Sequence, residues 1–152
     1  MTYYDHLSTP IGLLEVTASE DAITSILFVD EPKTINSNSI TGKAISQLDE
    51  YFKGMRKQFE LPLDAKGTAF QKTVWRTLET IEHGHTKTYK DIANLINNPK
   101  GVRAVGLANG KNPMTIVVPC HRVIGSNGSL TGYAFGIDKK AWLLNHEKST
   151  LS

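Results

Sequence analysis

The 152-residue sequence holds one cysteine, Cys120. A lone cysteine is ordinarily a small buried hydrophobe, and only its setting argues otherwise. Thr115 to Val118 reads as a short buried strand, and Pro119-Cys120-His121-Arg122 follows it directly. Residues 124–135 are rich in Gly and Ser and read as a long loop. A strand end beside a flexible loop is a place where fixed chemistry meets a variable pocket. The thiolate is the nucleophilic form of cysteine, and a neighbouring base or cation makes it accessible near neutral pH. His121 can serve directly, through a water, or not at all, because adjacent residues need not face one another. A base generally needs an orienting acid. No Asp or Glu lies between Ile92 and Ile137, so the acid must come from elsewhere, and Glu147 near the C-terminus is a candidate. The competing reading of Glu147 is a surface charge.

A single cysteine excludes an intramolecular disulfide and any zinc site built from several cysteines. A reducing, cytoplasmic setting is therefore expected. No run approaches the roughly 18 apolar residues that span a bilayer, and the first residues, MTYYDHLSTP, lack the pattern of a signal peptide. The net charge of +2 hides an asymmetry. Residues 1–66 carry six basic and ten acidic side chains, whereas residues 67–152 carry eleven and five. Lys100, Arg103, Lys111 and Arg122 fall in the stretch without carboxylates. Such an excess attracts polyanions, nucleic acid first, although a solvated basic face reads equally well on charge alone.

The elements that must position these residues divide at Lys66–Gly67. Before it, Leu13–Val16 and Ile23–Val29 read as strands, with turns at Pro10–Gly12 and Ser19–Asp21. Ile40, Ala44, Leu48, Phe52 and Met55 recur at helical spacing, and Phe59–Leu63 reads as a last strand. After it, Phe70, Val74, Trp75, Leu78 and Ile81 line one helix face. Thr88, with Asp91 three residues on, forms a capping-box-like start to the next helix. That helix carries Ile92, Leu95 and Ile96. A turn through Asn97–Gly101 leads into Val102–Ala108, which makes a helix-turn-helix within the basic stretch. Asp138 is the expected cap of a final helix bearing Ala141, Trp142, Leu144 and Glu147.

The run Asn112-Pro-Met-Thr-Ile-Val-Val-Pro-Cys-His-Arg-Val, then Gly128-Ser-Leu-Thr-Gly-Tyr133, then Trp142-Leu-Leu-Asn-His-Glu147, resembles the O6-alkylguanine-DNA alkyltransferases, also called methylated-DNA–protein-cysteine methyltransferases. The Pro-Cys-His-Arg-Val core is a highly specific signature, and the likeness runs from about Phe70 to Glu147. It implies an α+β protein with two parts. Residues 1–66 would form a supporting domain, a three-stranded antiparallel sheet with a helix, ribonuclease H-like. Residues 67–152 would form a mostly helical, winged-helix-like domain that binds DNA and carries the chemistry.

The resemblance also implies roles. Cys120 would take the alkyl group from O6 of guanine, and from O4-alkylthymine, once and irreversibly, after the nucleotide is flipped out of the duplex. His121 would draw the thiol proton through a water, Glu147 would orient His121, and Asn112 would brace the turn. Tyr89 would donate its hydroxyl to the base. Tyr133 would wall the pocket, with the backbone of Cys120, Val123 and Ala134 on the edge of the base. Arg103 would fill the space left in the duplex, and small Ala104, Gly106 and Ala108 would let the helix approach the minor groove. Lys100, Lys111 and Arg122 would contact phosphates. No cofactor and no metal are implied, and a monomer on double-stranded DNA is expected.

Two departures stand out. Phe135-Gly136 replaces the Gly-Gly of many family members and should narrow the pocket, and Thr115 stands where some members have proline. Other classes fit less well. A lesion-binding relative without catalysis replaces the cysteine, a transcriptional regulator of this family needs an added domain, and a Cys-His hydrolase needs an oxyanion hole.

Overall fold

The computed structural model describes residues 1–150. The chain divides into two compact units, Met1–Lys66 and Gly67 onward. In the first, β1 (Tyr3–Thr9), β2 (Gly12–Ala18) and β3 (Ile23–Val29) form an antiparallel sheet in the order β1-β2-β3. Helix α1 (Ser39–Phe52) packs on it. Leu14, Val16, Ala18, Ile23 and Ile26 from the sheet meet Ala44, Leu48 and Tyr51 from the helix in a fully buried core. Asn38 starts α1 with a reciprocal capping box to Thr41.

Several expectations are corrected here. The third strand is β1, not Phe59–Leu63. Residues 59–63 touch β3 only through an isolated bridge between Ile23 and Leu63, because Pro62 offers a carbonyl to Ile23 but has no N–H to extend a ladder. β1 escapes sequence reading because it is mostly half-buried with no clean apolar face. Met55 is 73% exposed rather than on the α1 face, since the helix ends at Phe52 and Gly54 turns left-handed at φ +76°.

The second unit holds α2 (Ala69–Leu78), α3 (Tyr89–Leu95), α4 (Val102–Gly110) and α5 (Ile137–Ser149). Thr68 caps α2 with Gln71, and Thr88 caps α3 with Asp91. Helices α2 and α3 pack on α4, and α5 packs on a 3-10 turn at Cys120–Arg122. Two short parallel strands, β4 (Lys87–Thr88) and β5 (Val123–Ile124), pair Lys87 with Val123 and Thr88 with Ile124. This small ladder ties the start of α3, and so Tyr89, to the segment just after the cysteine. Asp138 is not the cap of α5. Gly136, at φ +108°, takes that position without a side-chain bond, and Asp138 lies in the first turn, where its charge suits the helix dipole.

Candidate active site

Thr115–Val118 is not a strand but a set of tight turns. Val117 N–H donates to Thr115 O at 2.9 Å, closing a three-residue turn around Ile116, whose φ is +73°. That form is rare, and for a β-branched residue it costs on the order of 1–3 kcal/mol. A second three-residue turn follows. Pro119 has φ −83° and ψ 64°, and Cys120 N–H donates to Val118 O at 2.8 Å. Asn112 holds the first turn from inside. Its Nδ2 donates to Val118 O at 2.8 Å, and its Oδ1 accepts from Met114 N–H at 2.9 Å. Asn109 Nδ2 donates to Cys120 O at 3.3 Å. The cysteine is thus set on a fixed, strained corner whose bonds come from Asn109 in the last turn of α4 and Asn112 two residues past its end.

Cys120 is buried. Burial pushes its thiol up, against the Asn112 side chain and the Lys140 charge, which pull it down. The group at rest is a neutral thiol that needs a base. His121 follows in the 3-10 turn and is fully buried. Its Nε2 lies 2.6 Å from Glu147 Oε2. Burial drives the imidazole pKa down, and Glu147 only partly offsets this. For Glu147, burial raises the carboxyl pKa, but His121 and Arg122 outweigh it and hold the group well below the usual carboxylate range. An ionised Glu147 can only accept, so neutral His121 donates through Nε2–H and keeps its lone pair on Nδ1. Nδ1 is buried and has no protein partner.

Arg122 is corrected as a DNA contact. It is 6% exposed and turned inward, with Nε 2.7 Å and Nη2 3.1 Å from the two Glu147 oxygens and Nη1 2.6 Å from Ile81 O. A guanidinium so occupied cannot reach a phosphate. It fixes Glu147, which in turn fixes His121.

Tyr89 heads α3, and its hydroxyl donates to Thr131 O at 2.9 Å. Tyr133 is buried, with its hydroxyl 2.6 Å from Thr115 Oγ1 and its ring edge-on to Phe135 at 5.8 Å between centroids. Burial raises the pKa of both tyrosines, and Cys120 adds to each rise, so both hydroxyls remain protonated. Phe135 is half-buried and Ala134 exposed. Val123 is buried, and its carbonyl accepts from Lys140 Nζ at 2.5 Å. On α4, Arg103 and Ala104 are exposed and Gly106 half-exposed, while Lys100 and Lys111 stand exposed at the two ends of the helix. Ala108 is buried and accepts from Trp75 Nε1 at 2.8 Å, so it serves packing rather than an outer face.

Sequence reading missed Lys140, which is fully buried in α5. Its spacing from Leu143 and Glu147, on the inward face of the helix, was the available signal. Among the described residues no group of three or more His, Cys, Asp or Glu is placed to hold a metal ion, and no helix is long and apolar enough to cross a membrane.

Comparison with known proteins places this arrangement. Residues 2–65 match the family model described as 6-O-methylguanine DNA methyltransferase, ribonuclease-like domain, and residues 69–149 match its DNA binding domain. The chain is 46% identical to a methylated-DNA–protein-cysteine methyltransferase of Mycolicibacterium paratuberculosis, covering 97% of this chain and 93% of that one. It is also 46% identical to the constitutive enzyme of Bacillus subtilis, covering 97% and 96%. The crystal structure of Mycobacterium tuberculosis O6-methylguanine methyltransferase superposes with a TM-score of 0.90 at 41% identity, over 99% of this chain and 94% of that one. A structure of the M. tuberculosis protein in complex with DNA also gives 0.90, at 42% identity over 97% and 93%. With both family domains matched in order and its relatives aligned nearly end to end, the chain belongs to the methylated-DNA–protein-cysteine methyltransferases, the 6-O-methylguanine DNA methyltransferase family.

Proposed function

We propose that the protein repairs O6-alkylguanine, and O4-alkylthymine, in double-stranded DNA by moving the alkyl group irreversibly to Cys120. The observation that carries this is the single cysteine on a strained corner beside a His121–Glu147 pair that leaves Nδ1 free to accept a proton. The sulfur attacks the alkyl carbon in line, the S–C bond forms as the C–O6 bond breaks, and the electron pair passes to the base. The thiol proton goes to His121 Nδ1 through a water. Tyr89, a protonated donor, gives a hydrogen bond to the departing base and offsets its charge. The S–C bond of the thioether is not broken again, because a nucleophile would have to expel the Cys120 thiolate, a poor leaving group from an alkyl carbon, so each chain acts once.

The reacting atom is out of reach inside stacked DNA, so the nucleotide is flipped, at a cost of a few kcal/mol that an alkylated, mispaired guanine lowers. The exposed face of α4 supports a minor-groove approach, with Arg103 filling the gap and Ala104 and Gly106 allowing backbone contact. Lys100 and Lys111 hold phosphates, and affinity is independent of sequence. Tyr133, Phe135 and the backbone of Cys120, Val123 and Ala134 line the base site. Residues 67–152 carry binding and chemistry, residues 1–66 support them, and the protein works as a cytoplasmic monomer without cofactor.

The test is intact-protein mass after incubation with a duplex bearing one O6-methylguanine, with Cys120→Ala alongside. A gain of roughly 14 Da in the wild type alone, saturating at one per chain, is the expected result for a covalent nucleophile. Tight lesion binding without mass gain would replace this reading with that of a damage sensor.

A further inference from the structure

Lys140 is a buried cation that the chemistry above does not use. It lies on the inward face of α5 and is fully inaccessible to solvent. Burying an ammonium is costly unless its donors are satisfied. Here the partners are two carbonyl oxygens from two separate segments of the chain. Nζ donates to Val123 O at 2.5 Å, just past the cysteine turn, and to Thr131 O at 2.7 Å, in the glycine-rich loop. It also lies 5.8 Å from the centre of the Tyr89 ring.

Thr131 O is shared. It accepts from Lys140 and from the Tyr89 hydroxyl at 2.9 Å. A carbonyl oxygen has two lone pairs, so both are in use. Tyr89 is the residue assigned to the base, and its hydroxyl cannot give its one proton to Thr131 and to guanine together. The loop is also close-fitted there. Gly132 has φ +73°, and a Cβ on it would come within 2.7 Å of the Tyr89 oxygen.

We propose that Lys140 is a positioning residue of the base site: it ties the carbonyls of Val123 and Thr131 from within α5, so that the loop keeps its place when the Tyr89 hydroxyl leaves Thr131 for the flipped base. Thr131 O, on an exposed residue, then still holds a charged donor from inside the fold, and the loop keeps its anchor while Tyr89 exchanges partners. Without Lys140 the Tyr89 hydroxyl is the side-chain donor left to hold Thr131 O, and giving its proton to guanine releases the loop. Burial holds the Lys140 pKa down to about 8, with Cys120 opposing, so the ammonium form is the major one at pH 7.

The inference rests on the alkyl-transfer reading, and a mutant cycle separates the two. Single-turnover methyl transfer from an O6-methylguanine duplex is followed across DNA concentration for wild type, Lys140→Met, Tyr89→Phe and the double variant. Lys140→Met is expected to lower the maximal rate by roughly tenfold or more while the half-saturating DNA concentration moves by less than about threefold. On the Tyr89→Phe background, where no hydroxyl is contested, the same change should cost less than about threefold. Equal penalties on both backgrounds would overturn the proposal, as a purely structural lysine predicts. Wild type that transfers no methyl would overturn the alkyl-transfer reading instead. Should Lys140→Met not fold, the ammonium signal of Lys140 is followed by nitrogen-15 NMR in Cys120→Ser protein. It should stay slow to exchange with lesion duplex bound, and its loss on binding would equally refute the role.

Discussion

Glu147 Oε2 stands 2.6 Å from His121 Nε2, and neither side chain is exposed to solvent. The contact fixes a tautomer as well as an orientation. With Arg122 closing on both carboxylate oxygens, Glu147 stays ionised and acceptor-only, so the proton sits on Nε2 and the basic lone pair on Nδ1.

Glu147→Gln removes that constraint at little change of volume. An amide presents a donor as readily as an acceptor, and the Nε2–H tautomer loses its preference. Transfer to Cys120 is expected to slow on the order of 10²- to 10⁴-fold, the usual worth of a correctly held base. Single-turnover mass spectrometry at saturating duplex checks this. A loss below about threefold would remove Glu147 from the chemistry.

Stability should fall with acid in a defined window. The folded His121 pKa is depressed, so below the unfolded value of about 6.5 the unfolded chain binds the proton that the folded one refuses. Glu147 is also depressed, and its contribution, present above its unfolded value of about 4.3, is lost as pH falls towards the folded one. Both terms carry the same sign. Urea midpoints should therefore decline from about pH 6.5 downward, and His121→Asn should flatten the upper part of that decline.

The chemistry was more legible in the sequence than the backbone that presents it. Glu147 meets His121, the contact that a base in need of an orienting acid suggested, and Asn112 holds the turn before the cysteine, as the resemblance implied. Thr115–Val118 misled because a run of β-branched residues reads as a strand. The Asn112 side chain overrides that preference by spending its amide on the turn. Arg122 misled because charge in a sequence says nothing of direction, and its partners Ile81 and Glu147 are 41 and 25 residues away. Lys140 gave only its spacing from Leu143 and Glu147, and its charge argued for the surface instead.

The basic residues should consequently separate into two kinds. Arg122→Met leaves Glu147 without its main cation and should cost about 3–5 kcal/mol of stability, the range for one lost partner of a buried pair. Lys100→Ala and Lys111→Ala, both at exposed positions, should leave urea midpoints within error. Each should instead reduce the salt dependence of DNA binding by about one ion. Fluorescence anisotropy across salt concentration, beside urea melts, distinguishes them.

Gly106 offers a test of how α4 meets DNA. A Cβ there would find only the Tyr89 ring, at 3.9 Å, an ordinary contact. The fold does not require glycine, and alanine should add up to about 1 kcal/mol of helix stability. If the backbone of α4 lies against the duplex, the same methyl should weaken DNA binding by about 1–3 kcal/mol through overpacking. Gly106→Ala is therefore expected to be more heat-stable and a poorer DNA binder. Unchanged affinity would place the DNA elsewhere on the domain.

Phe135 should set the size of alkyl group accepted. Tyr133 is pinned by Thr115 at 2.6 Å, and Phe135 closes edge-on against it, so the aromatic wall cannot swing aside without losing a buried hydrogen bond. A methyl group needs no such movement, whereas a benzyl group does. Phe135→Gly should leave methyl transfer from duplex within about threefold. It should raise reaction with free O6-benzylguanine by roughly tenfold or more, the range a hydrophobic pocket gains from a change in fit. The free base removes DNA affinity from the comparison, so the difference reports the site itself. Equal benzyl rates for the two proteins would mean that Tyr133 and its Thr115 tether, rather than Phe135, limit the opening, and Thr115→Val would then be the variant that widens it.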